Sequence, residues 1–380
     1  MSLIHNLKKA ACAGVMAYED GAARRSTPLN ETKNFIVFQH APALGTVIHA
    51  TPLFTALKQA VPDARIAVVA SGFSVDAIRN NPHIEKLIVT PSPLKDLKGA
   101  VQSLRRQFPF RRDRFVSIFP AGNERTRITL QAVLSGASAR VGFAVQPALY
   151  RVPLQFDKTR SQIANNLRIV EALGHPAPHA EPRIFFSEQD EIFARELLAG
   201  AGVNLSKPVV VFVTQTSVTQ RKSWRPERFQ AAAAFLKEQF DAQIVYVGTA
   251  AESKAIEELR GGLSFPTANL AGKTNLPQLT ALMSLCTIGL TLDTGPLHIG
   301  RAAGLPMVVI APAWSPPIEW LPVDNERFRI FKNADLPSAP PDYIIDEVTV
   351  DEVTTALADL MTHFGQERLQ FSAAKAVQGR

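Results

Sequence analysis

The stretch GLTLDTGPLH at residues 289–298 decides the fold of this chain. It is apolar and β-branched up to Asp293, which predicts a buried strand. Pro296 predicts the start of a helix, because a proline at the first helical position has no intrahelical N–H bond to lose. Gly295 lets the backbone approach a ligand closely, and a helix start presents free N–H groups to an anion. The stretch therefore predicts a strand–loop–helix junction suited to a diphosphate.

Short apolar runs alternate with helix-period segments on both sides of this stretch. The predicted strands cover residues 35–39, 65–70, 86–90, 115–119, 139–143, 209–213, 243–247, 268–270, 288–292 and 307–311. The predicted helices cover residues 47–60, 74–80, 94–108, 127–134, 163–173, 190–199, 225–240, 252–259, 276–286, 296–303 and 350–364. Because strands that alternate with helices form βαβ units, the pattern predicts parallel sheets covered on both faces.

The length of 380 residues predicts two domains of roughly 150 residues each. The alternation is interrupted in a Pro-rich and polar segment, residues 151–208, which therefore contains the predicted boundary. The predicted class is α/β, with two doubly wound Rossmann-like domains, residues 34–185 and 186–345, that face each other across a cleft. Residues 1–33 are predicted to be a loosely ordered extension, and residues 346–380 to form a helix that packs back across the domain junction.

Composition restricts the kinds of protein that this chain can be. A hydrophobic content of 46% with 20% charged residues is typical of a globular protein. The net charge of +7 favours anionic partners such as nucleotides, phosphorylated glycans or a membrane surface. The sequence has no helix dense in Lys and Arg with interleaved aromatic residues, so it does not indicate nucleic-acid binding. Cys12 and Cys286 lie far apart, which argues against a disulfide framework or a Cys-based metal site.

The N-terminal residues leave a second interpretation open. Lys8 and Lys9 precede an alanine-rich run, which is a feature of signal peptides, but the run is short and is followed by Glu19 and Asp20. No stretch approaches the ~20 apolar residues that a membrane span needs. The sequence therefore favours a reducing, cytoplasmic location over secretion.

Four motifs resemble, by their order and spacing, the ADP-heptose:lipopolysaccharide heptosyltransferases, which form glycosyltransferase family 9 of the two-domain GT-B fold. These motifs are LGTVI leading into TPL within residues 44–53, KSW at 222–224, LAGKT at 270–274 and DTGPLH at 293–298. Residues 122–123 and 140–143 also resemble family positions in the acceptor domain. The resemblance covers roughly residue 34 to the C-terminus. It implies an inverting transfer of a heptose from ADP-heptose to a sugar hydroxyl, without an obligatory metal or cofactor.

The resemblance assigns the nucleotide sugar to the second domain. Lys222 matches the family lysine that contacts the phosphate, where its charge would stabilise the departing ADP; a solvated surface lysine is the alternative. The other donor-binding candidates are Asp293 to cap or order the loop, Thr294 and Gly295 for the diphosphate, His298 as a further phosphate donor, Glu252 for the ribose hydroxyls, Thr274 beside the adenine, and Thr216 and Ser217 for phosphate. A packing histidine is the alternative for His298, and an acid that complements the helix macrodipole is the alternative for Glu252.

The catalytic base is where the chain departs from the family. Members usually carry Asp directly after the glycine of the first strand–helix loop, where this chain has Gly45 followed by Thr46. A threonine hydroxyl cannot act as a base near neutral pH. His49 shares a helical face with Thr46 if the helix has begun, and His40 lies on the preceding loop, so either imidazole is a candidate base. The alternative is a chain with weak or no transferase activity that only binds its nucleotide sugar.

The first domain carries the predicted acceptor residues. Asn123, Arg125 and Arg127 follow a predicted strand and suit a phosphorylated, lipid-linked core oligosaccharide as the acceptor, with a protein acceptor as the alternative. The Arg-rich residues 105–114 suit anionic lipid head groups, with a solvated helix face as the alternative. The sequence thus predicts a cytoplasmic glycosyltransferase in peripheral contact with the inner membrane. A non-catalytic scaffold or regulator and a nucleotide-sugar epimerase are the competing interpretations.

Overall fold

The computed structural model describes residues 12–19, 28–110, 114–137, 139–215, 222–312, 317–332 and 343–378. The chain divides into two compact units, residues 1–183 and 184–380. The C-terminal residues 346–380, which the sequence predicts as a separate segment, are part of the second unit.

The first unit is built on one parallel sheet. Its strands are β1 (Asn34–Gln39), β2 (Arg65–Ala70), β3 (Lys86–Val89), β4 (Val116–Phe119), β5 (Arg140–Phe143) and β6 (Val152–Leu154). Its helices are α1 (residues 12–19), α2 (Leu44–Ala50), α3 (Pro52–Ala60), α4 (Phe73–Ile78), α5 (Leu97–Gln107), α6 (Thr126–Leu134) and α7 (Gln162–Ala172), with a 3₁₀ turn at Pro147–Leu149. The strand order is β3-β2-β1-β4-β5-β6.

Strand β1 lies at the centre of this sheet. It pairs with β2 and with β4, so that Val37 lies opposite Val68 on one side and Ile118 on the other. The chain winds outward from β1 to β3 and then returns to β4 on the other side of β1. Doubly wound sheets bind ligands at the carboxyl ends of the strands where the winding reverses. The ends of β1 and β4 are therefore the expected site edge of this unit.

The single helix predicted for residues 47–60 is two helices in the structure. The break lies at Thr51, whose hydroxyl donates to the carbonyl of Ile48 at 2.7 Å and accepts from the Arg183 N–H at 3.0 Å. Pro52, which has no N–H to donate, opens the second helix, α3. Helix α2 begins at Leu44, three residues earlier than predicted. Thr46 and His49 both belong to it and, three positions apart, lie on the same helical face.

A buried ion pair joins helix α1 to the rest of the first unit. The Glu19 carboxylate accepts from Arg140 Nη1 at 2.7 Å and from Nη2 at 2.8 Å, and both side chains are buried. Arg140 also donates to the carbonyls of Ala137 and Leu149, each at 2.6 Å. The prediction of a loosely ordered extension is therefore wrong for residues 12–19.

Glu19→Gln is expected to destabilise the first unit by about 2 kcal/mol, because removing one partner of a buried pair leaves the other charge uncompensated. The Arg140 guanidinium would keep its carbonyl partners and lose its counter-charge. Urea unfolding of the full chain measures the effect, and Glu31→Gln, at an exposed position, is the matched control. Equal midpoints for the two variants would contradict a stabilising role for this pair.

The second unit repeats the architecture. Its strands are β7 (Val209–Val213), β8 (Lys222–Ser223), β9 (Gln243–Tyr246), β10 (Ala268–Asn269), β11 (Ile288–Leu292), β12 (Met307–Ile310), β13 (Phe328–Phe331) and β14 (Tyr343–Ile344). Its helices are α8 (Glu188–Gly200), α9 (Pro226–Phe240), α10 (Ser253–Arg260), α11 (Leu276–Leu285), α12 (Gly295–Ala302), α13 (Pro317–Trp320) and α14 (Val350–Gln378), with a 3₁₀ turn at Ala250–Glu252. The parallel sheet has the order β10-β9-β7-β11-β12-β13, and β8 pairs separately with β14.

Helix α14 packs on α9, α11, β11 and β12 of its own unit. Val353, Leu357 and Leu360 are fully buried in the core of that unit. Arg368 is also buried and donates to the carbonyls of Ser284 at 2.7 Å and Cys286 at 2.9 Å, which lie at the end of α11. Its charge thus complements the carboxyl end of that helix. Among the described residues, no helix has the length and apolar character that a membrane span requires.

Candidate active site

The winding of the first unit brings His40 and Asn123 together. His40 follows β1 and Asn123 follows β4. Asn123 Oδ1 accepts from the His40 N–H at 2.6 Å, and Nδ2 donates to Gln39 Oε1 and to the Pro120 carbonyl, both at 3.2 Å. Asn123 is 0% exposed. Its amide therefore ties the two strand ends together, and this burial argues against direct contact with an acceptor.

Thr46 lies against the loop that follows β4. It is buried in the first turn of α2, after the half-buried Gly45. A Cβ added to Gly122 would stand 2.1 Å from Thr46 Cγ2, and Gly122 has a φ of +87°. Only glycine fits at position 122 on both counts. The position at which the family carries its usual Asp is thus in contact with the β4 loop.

The two histidines proposed as bases are enclosed by protein. His49 is 1% exposed and His40 is 4% exposed. The ring of His40 shares a hydrogen bond with the Ser71 hydroxyl at 2.9 Å, and burial lowers the pKa of His40 to about 4, with the Gln131 side chain acting in the opposite direction. A ring enclosed in this way is poorly placed to reach the hydroxyl of an acceptor. The catalytic role of both histidines stays a prediction, and their burial counts against it.

Glu124 is a carboxylate at this edge that the sequence analysis missed. It is half-buried, and its Oε2 accepts from the Gly122 N–H at 2.7 Å. Burial raises the pKa of the Glu124 carboxyl above its ordinary value, although backbone N–H groups and the charge of Arg125 act in the opposite direction. The signal in the sequence was an acid directly after the Gly-Asn pair, in the loop that follows a predicted strand.

The predicted acceptor arginines follow Glu124 and are exposed. Arg125 Nη1 donates to the carbonyl of Glu124 at 2.9 Å, and Arg127 Nη1 donates to the carbonyl of Leu94 at 2.5 Å. Each guanidinium has further donors, since it carries five N–H groups. The two side chains therefore lie beside the site edge and can take part in binding an anionic acceptor.

The diphosphate candidates of the second unit lie at the equivalent edge. Strand β11 lies between β7 and β12, and the winding reverses between β7 and β11. Helix α12 begins at Gly295, and Thr294 occupies its N-cap position without a side-chain capping bond. Asp293 is buried one residue earlier, with its N–H bound to the Ile310 carbonyl at 3.1 Å. Asp293 is therefore not the N-cap residue, and its remaining predicted role is to order the loop.

His298 lies further along α12 and is 7% exposed. Its ring centroid lies 6.0 Å from that of Trp320 in α13. This arrangement favours the packing alternative over a direct phosphate contact.

The loops after β9 and β10 pack against each other. Glu252 Oε2 accepts from the Thr249 N–H at 2.7 Å in a capping box. The Gly272 N–H donates to the Gly248 carbonyl at 2.9 Å, and a Cβ on Gly272 would stand 2.7 Å from Ala250 Cα. The capping role of Glu252 is thus observed, and a carboxylate retains a second oxygen that can accept from ribose hydroxyls.

Thr274 is half-buried and directly precedes Asn275, the N-cap residue of α11. Its predicted place beside the adenine stays a prediction. Among the described residues, no group of three or more His, Cys, Asp or Glu side chains is placed to hold a metal ion.

The KSW motif is held by strand pairing and by a buried tryptophan. Lys222 pairs with Tyr343 through the backbone of β8 and β14. Trp224 is 1% exposed, and its Nε1 donates to the Val348 carbonyl at 2.9 Å. The Lys222 side chain lies outside the part of the chain that the structure describes, and so do Thr216 and Ser217. Their assignment to the phosphates stays a prediction.

Comparison with known proteins supports the family that the sequence motifs indicate. The family model of glycosyltransferase family 9 (heptosyltransferase) matches residues 130–337, more than half of the chain. The chain is 30% identical over 152 residues to the lipopolysaccharide core heptosyltransferase OpsX of Haemophilus influenzae, a match that covers 39% of this chain and only 42% of that relative.

Two solved structures share the fold. A glycosyl transferase family 9 protein from Veillonella parvula has a TM-score of 0.78 at 20% identity, covering 87% of this chain and 97% of the other. The E. coli ADP-heptose lps heptosyltransferase II has a TM-score of 0.68 at 19% identity, covering 87% of this chain and 99% of the other. The predicted α/β fold of the GT-B type is confirmed. This chain is therefore a glycosyltransferase that belongs to family 9, the heptosyltransferases.

Proposed function

We propose that the protein is an inverting heptosyltransferase that moves a heptose from ADP-heptose to a hydroxyl of a lipopolysaccharide core. The observation that carries the proposal is the start of α12, where Thr294 and Gly295 follow the central strand β11 without a side-chain cap. Such a helix start favours an anion. The names of two similar proteins, a core heptosyltransferase and an ADP-heptose heptosyltransferase, support the donor and the acceptor.

The proposed chemistry needs positive charge around the leaving group. As the bond between the anomeric carbon and the diphosphate breaks, the electron pair moves onto a phosphate oxygen of ADP. The N–H groups of the first turn of α12 and the ammonium of Lys222 would stabilise that oxygen. We expect these groups to meet the electrostatic need of the transition state without a metal ion.

Lys222→Ala is expected to lower kcat/KM about 100-fold, which corresponds to the loss of one charge-assisted contact in the transition state. The assay follows ADP release from ADP-heptose in the presence and absence of a core oligosaccharide. Lys237→Ala is the matched control, because Lys237 lies on α9 and pairs with Asp241 at the surface. No ADP release by the unmodified protein, together with unchanged nucleotide binding by Lys222→Ala, would contradict the proposal.

The acceptor and the location belong to the same proposal. The exposed Arg125 and Arg127 and the net charge of +7 suit a phosphorylated acceptor. A lipid-linked acceptor would hold a cytoplasmic enzyme against the anionic inner face of the membrane. A protein-linked acceptor is the alternative, and supplying each acceptor to the enzyme in turn separates the two.

A second function is favoured by Thr46, which stands at the position of the usual base. In that case the protein binds the nucleotide sugar and serves as a scaffold or regulator of an active transferase. Calorimetry with ADP-heptose, run beside the ADP-release assay, distinguishes the two functions. Tight binding without release at any core acceptor would support the second one.

A further inference from the structure

We propose that Glu124 is the general base of this enzyme and replaces the aspartate that the family usually carries where this chain has Thr46. The inference rests on the proposed heptosyl transfer. It assigns the proton-accepting step to a carboxylate that reaches the site edge from β4, whereas the usual aspartate reaches it from the loop after β1.

The contacts of Gly122 place Glu124 beside position 46. Gly122 touches Thr46 through its Cα, since an added Cβ would meet the threonine methyl group at 2.1 Å. The N–H of the same glycine donates to Glu124 Oε2 at 2.7 Å. One residue therefore lies between the threonine and the carboxylate and contacts both. A carboxylate remains at this edge of the sheet although the usual position has lost it.

The surroundings of Glu124 suit a base. The side chain is half-buried, so it is partly desolvated while part of it remains open to a substrate. That burial raises the pKa of its carboxyl, with the charge of Arg125 acting in the opposite direction. Burial raises the pKa of the Tyr150 phenol to about 12, and the negative charge of Glu124 acts in the same direction. General-base catalysis gains when the pKa of the base approaches the working pH.

The uncharged polar groups at this edge are committed elsewhere. The Asn123 amide is fully buried and bridges β1 and β4. The His40 and His49 rings are almost completely enclosed. Tyr150 shares a hydrogen bond with the Thr129 hydroxyl at 3.0 Å and stays protonated at neutral pH. Of the side chains described at the ends of β1 and β4, Glu124 is the one that combines a negative charge with partial exposure.

The proposed step is balanced. The oxygen of the acceptor hydroxyl forms a bond to the anomeric carbon, and its proton passes to a Glu124 carboxylate oxygen. The bond from the anomeric carbon to the diphosphate breaks, and its electron pair leaves with ADP. Glu124 then loses the proton to solvent and returns to its charged form.

Glu124→Gln tests the assignment, because the amide keeps the shape of the side chain and can still accept from the Gly122 N–H. Acceptor-dependent ADP release is expected to fall about 10²–10⁴-fold, the usual contribution of general-base catalysis. The Kd for ADP-heptose is expected to stay within about threefold, because the proposed donor site lies in the second unit. Glu171→Gln, an exposed glutamate on α7 of the same unit, is the control and should release ADP at the rate of the unmodified protein.

The pH profile gives an independent readout. The acid limb of kcat for the unmodified protein reports protonation of the base, and its midpoint should lie above the ordinary glutamate pKa of 4.5, since the Glu124 carboxyl is shifted upward. Glu124→Gln should lose this limb. Adding Thr46→Asp to Glu124→Gln returns a carboxylate to the Gly122 contact. The double variant should release ADP at least about tenfold faster than Glu124→Gln alone.

The outcomes separate this inference from the proposed function. No acceptor-dependent release by the unmodified protein defeats the heptosyltransferase proposal itself. If folded Glu124→Gln releases ADP within about threefold of the rate of the unmodified protein, and its acid limb is intact, only the assignment of Glu124 is overturned. If Glu124→Gln fails to fold, Glu124→Asp takes its place: the shorter carboxylate should keep the acid limb but release ADP at least about tenfold more slowly, and release at the unmodified rate overturns the assignment.

Discussion

Gly142→Ala is expected to prevent the first unit from folding. Gly142 lies in β5 with a φ of +129°, and a Cβ there would stand 2.2 Å from the carbonyl oxygen of Phe119 and 2.9 Å from its carbonyl carbon and nitrogen. These are backbone atoms of the paired strand β4, so no rotamer change can relieve the clash. The cost should exceed about 4 kcal/mol, a loss found only with severe packing or backbone conflicts. Soluble yield and urea unfolding of the full chain measure it.

Gly72→Ala is the control for this prediction. Gly72 also has a positive φ, +61°, but a Cβ there would meet nothing within 4 Å. Its substitution carries only the conformational cost of this backbone geometry, about 1–3 kcal/mol. A large gap between the two variants would show that the close approach of β4 and β5 causes the loss. Equal losses would contradict this contact and, with it, the position of the β4 loop that carries Glu124.

The centres of both sheets could be predicted from the sequence. Strands such as Val209–Val213 and Ile288–Leu292 are fully buried on both faces, so they read as uninterrupted apolar runs. Three of the strands that were missed carry little local signal. The edge strand Val152–Leu154 has a proline at its centre, which such a position tolerates, and Lys222–Ser223 is a strand only because it pairs with Tyr343–Ile344. Such pairing depends on residues far away in the chain.

The candidate site divides in the same way. The start of α12 was predictable, because Gly295 and Pro296 are local signals for a helix that begins after a strand. The burial of His40 and His49 was not. It is set by tertiary contacts, such as the hydrogen bond from the His40 N–H to Asn123 Oδ1 across 83 positions of sequence. A histidine near a family motif therefore gave no indication of whether substrate could reach it.

Trp224→Ala is expected to lower the free energy of unfolding of the second unit by about 3–5 kcal/mol, the usual cost of truncating a buried Trp. The indole is 1% exposed, packs edge-to-face on Phe229 at 4.9 Å between ring centroids, and donates to the Val348 carbonyl at 2.9 Å. Trp224→Phe should cost only about 1–2 kcal/mol. It keeps an aromatic ring, and the Val348 carbonyl still accepts from Arg228 Nη1 at 2.7 Å.

The same two variants test whether Trp224 positions the proposed phosphate-binding lysine. Lys222 lies two residues before the indole, on the short strand that pairs with β14. If the indole anchors this strand, Trp224→Ala should bind ADP at least about tenfold more weakly even at a temperature where it is folded, whereas Trp224→Phe should bind normally. Calorimetric titration of each variant with ADP measures this. If the two variants bind ADP equally well and Trp224→Ala lowers only the midpoint of unfolding, the role of Trp224 is confined to packing in the core. The pairing with β14 would then be sufficient to position Lys222.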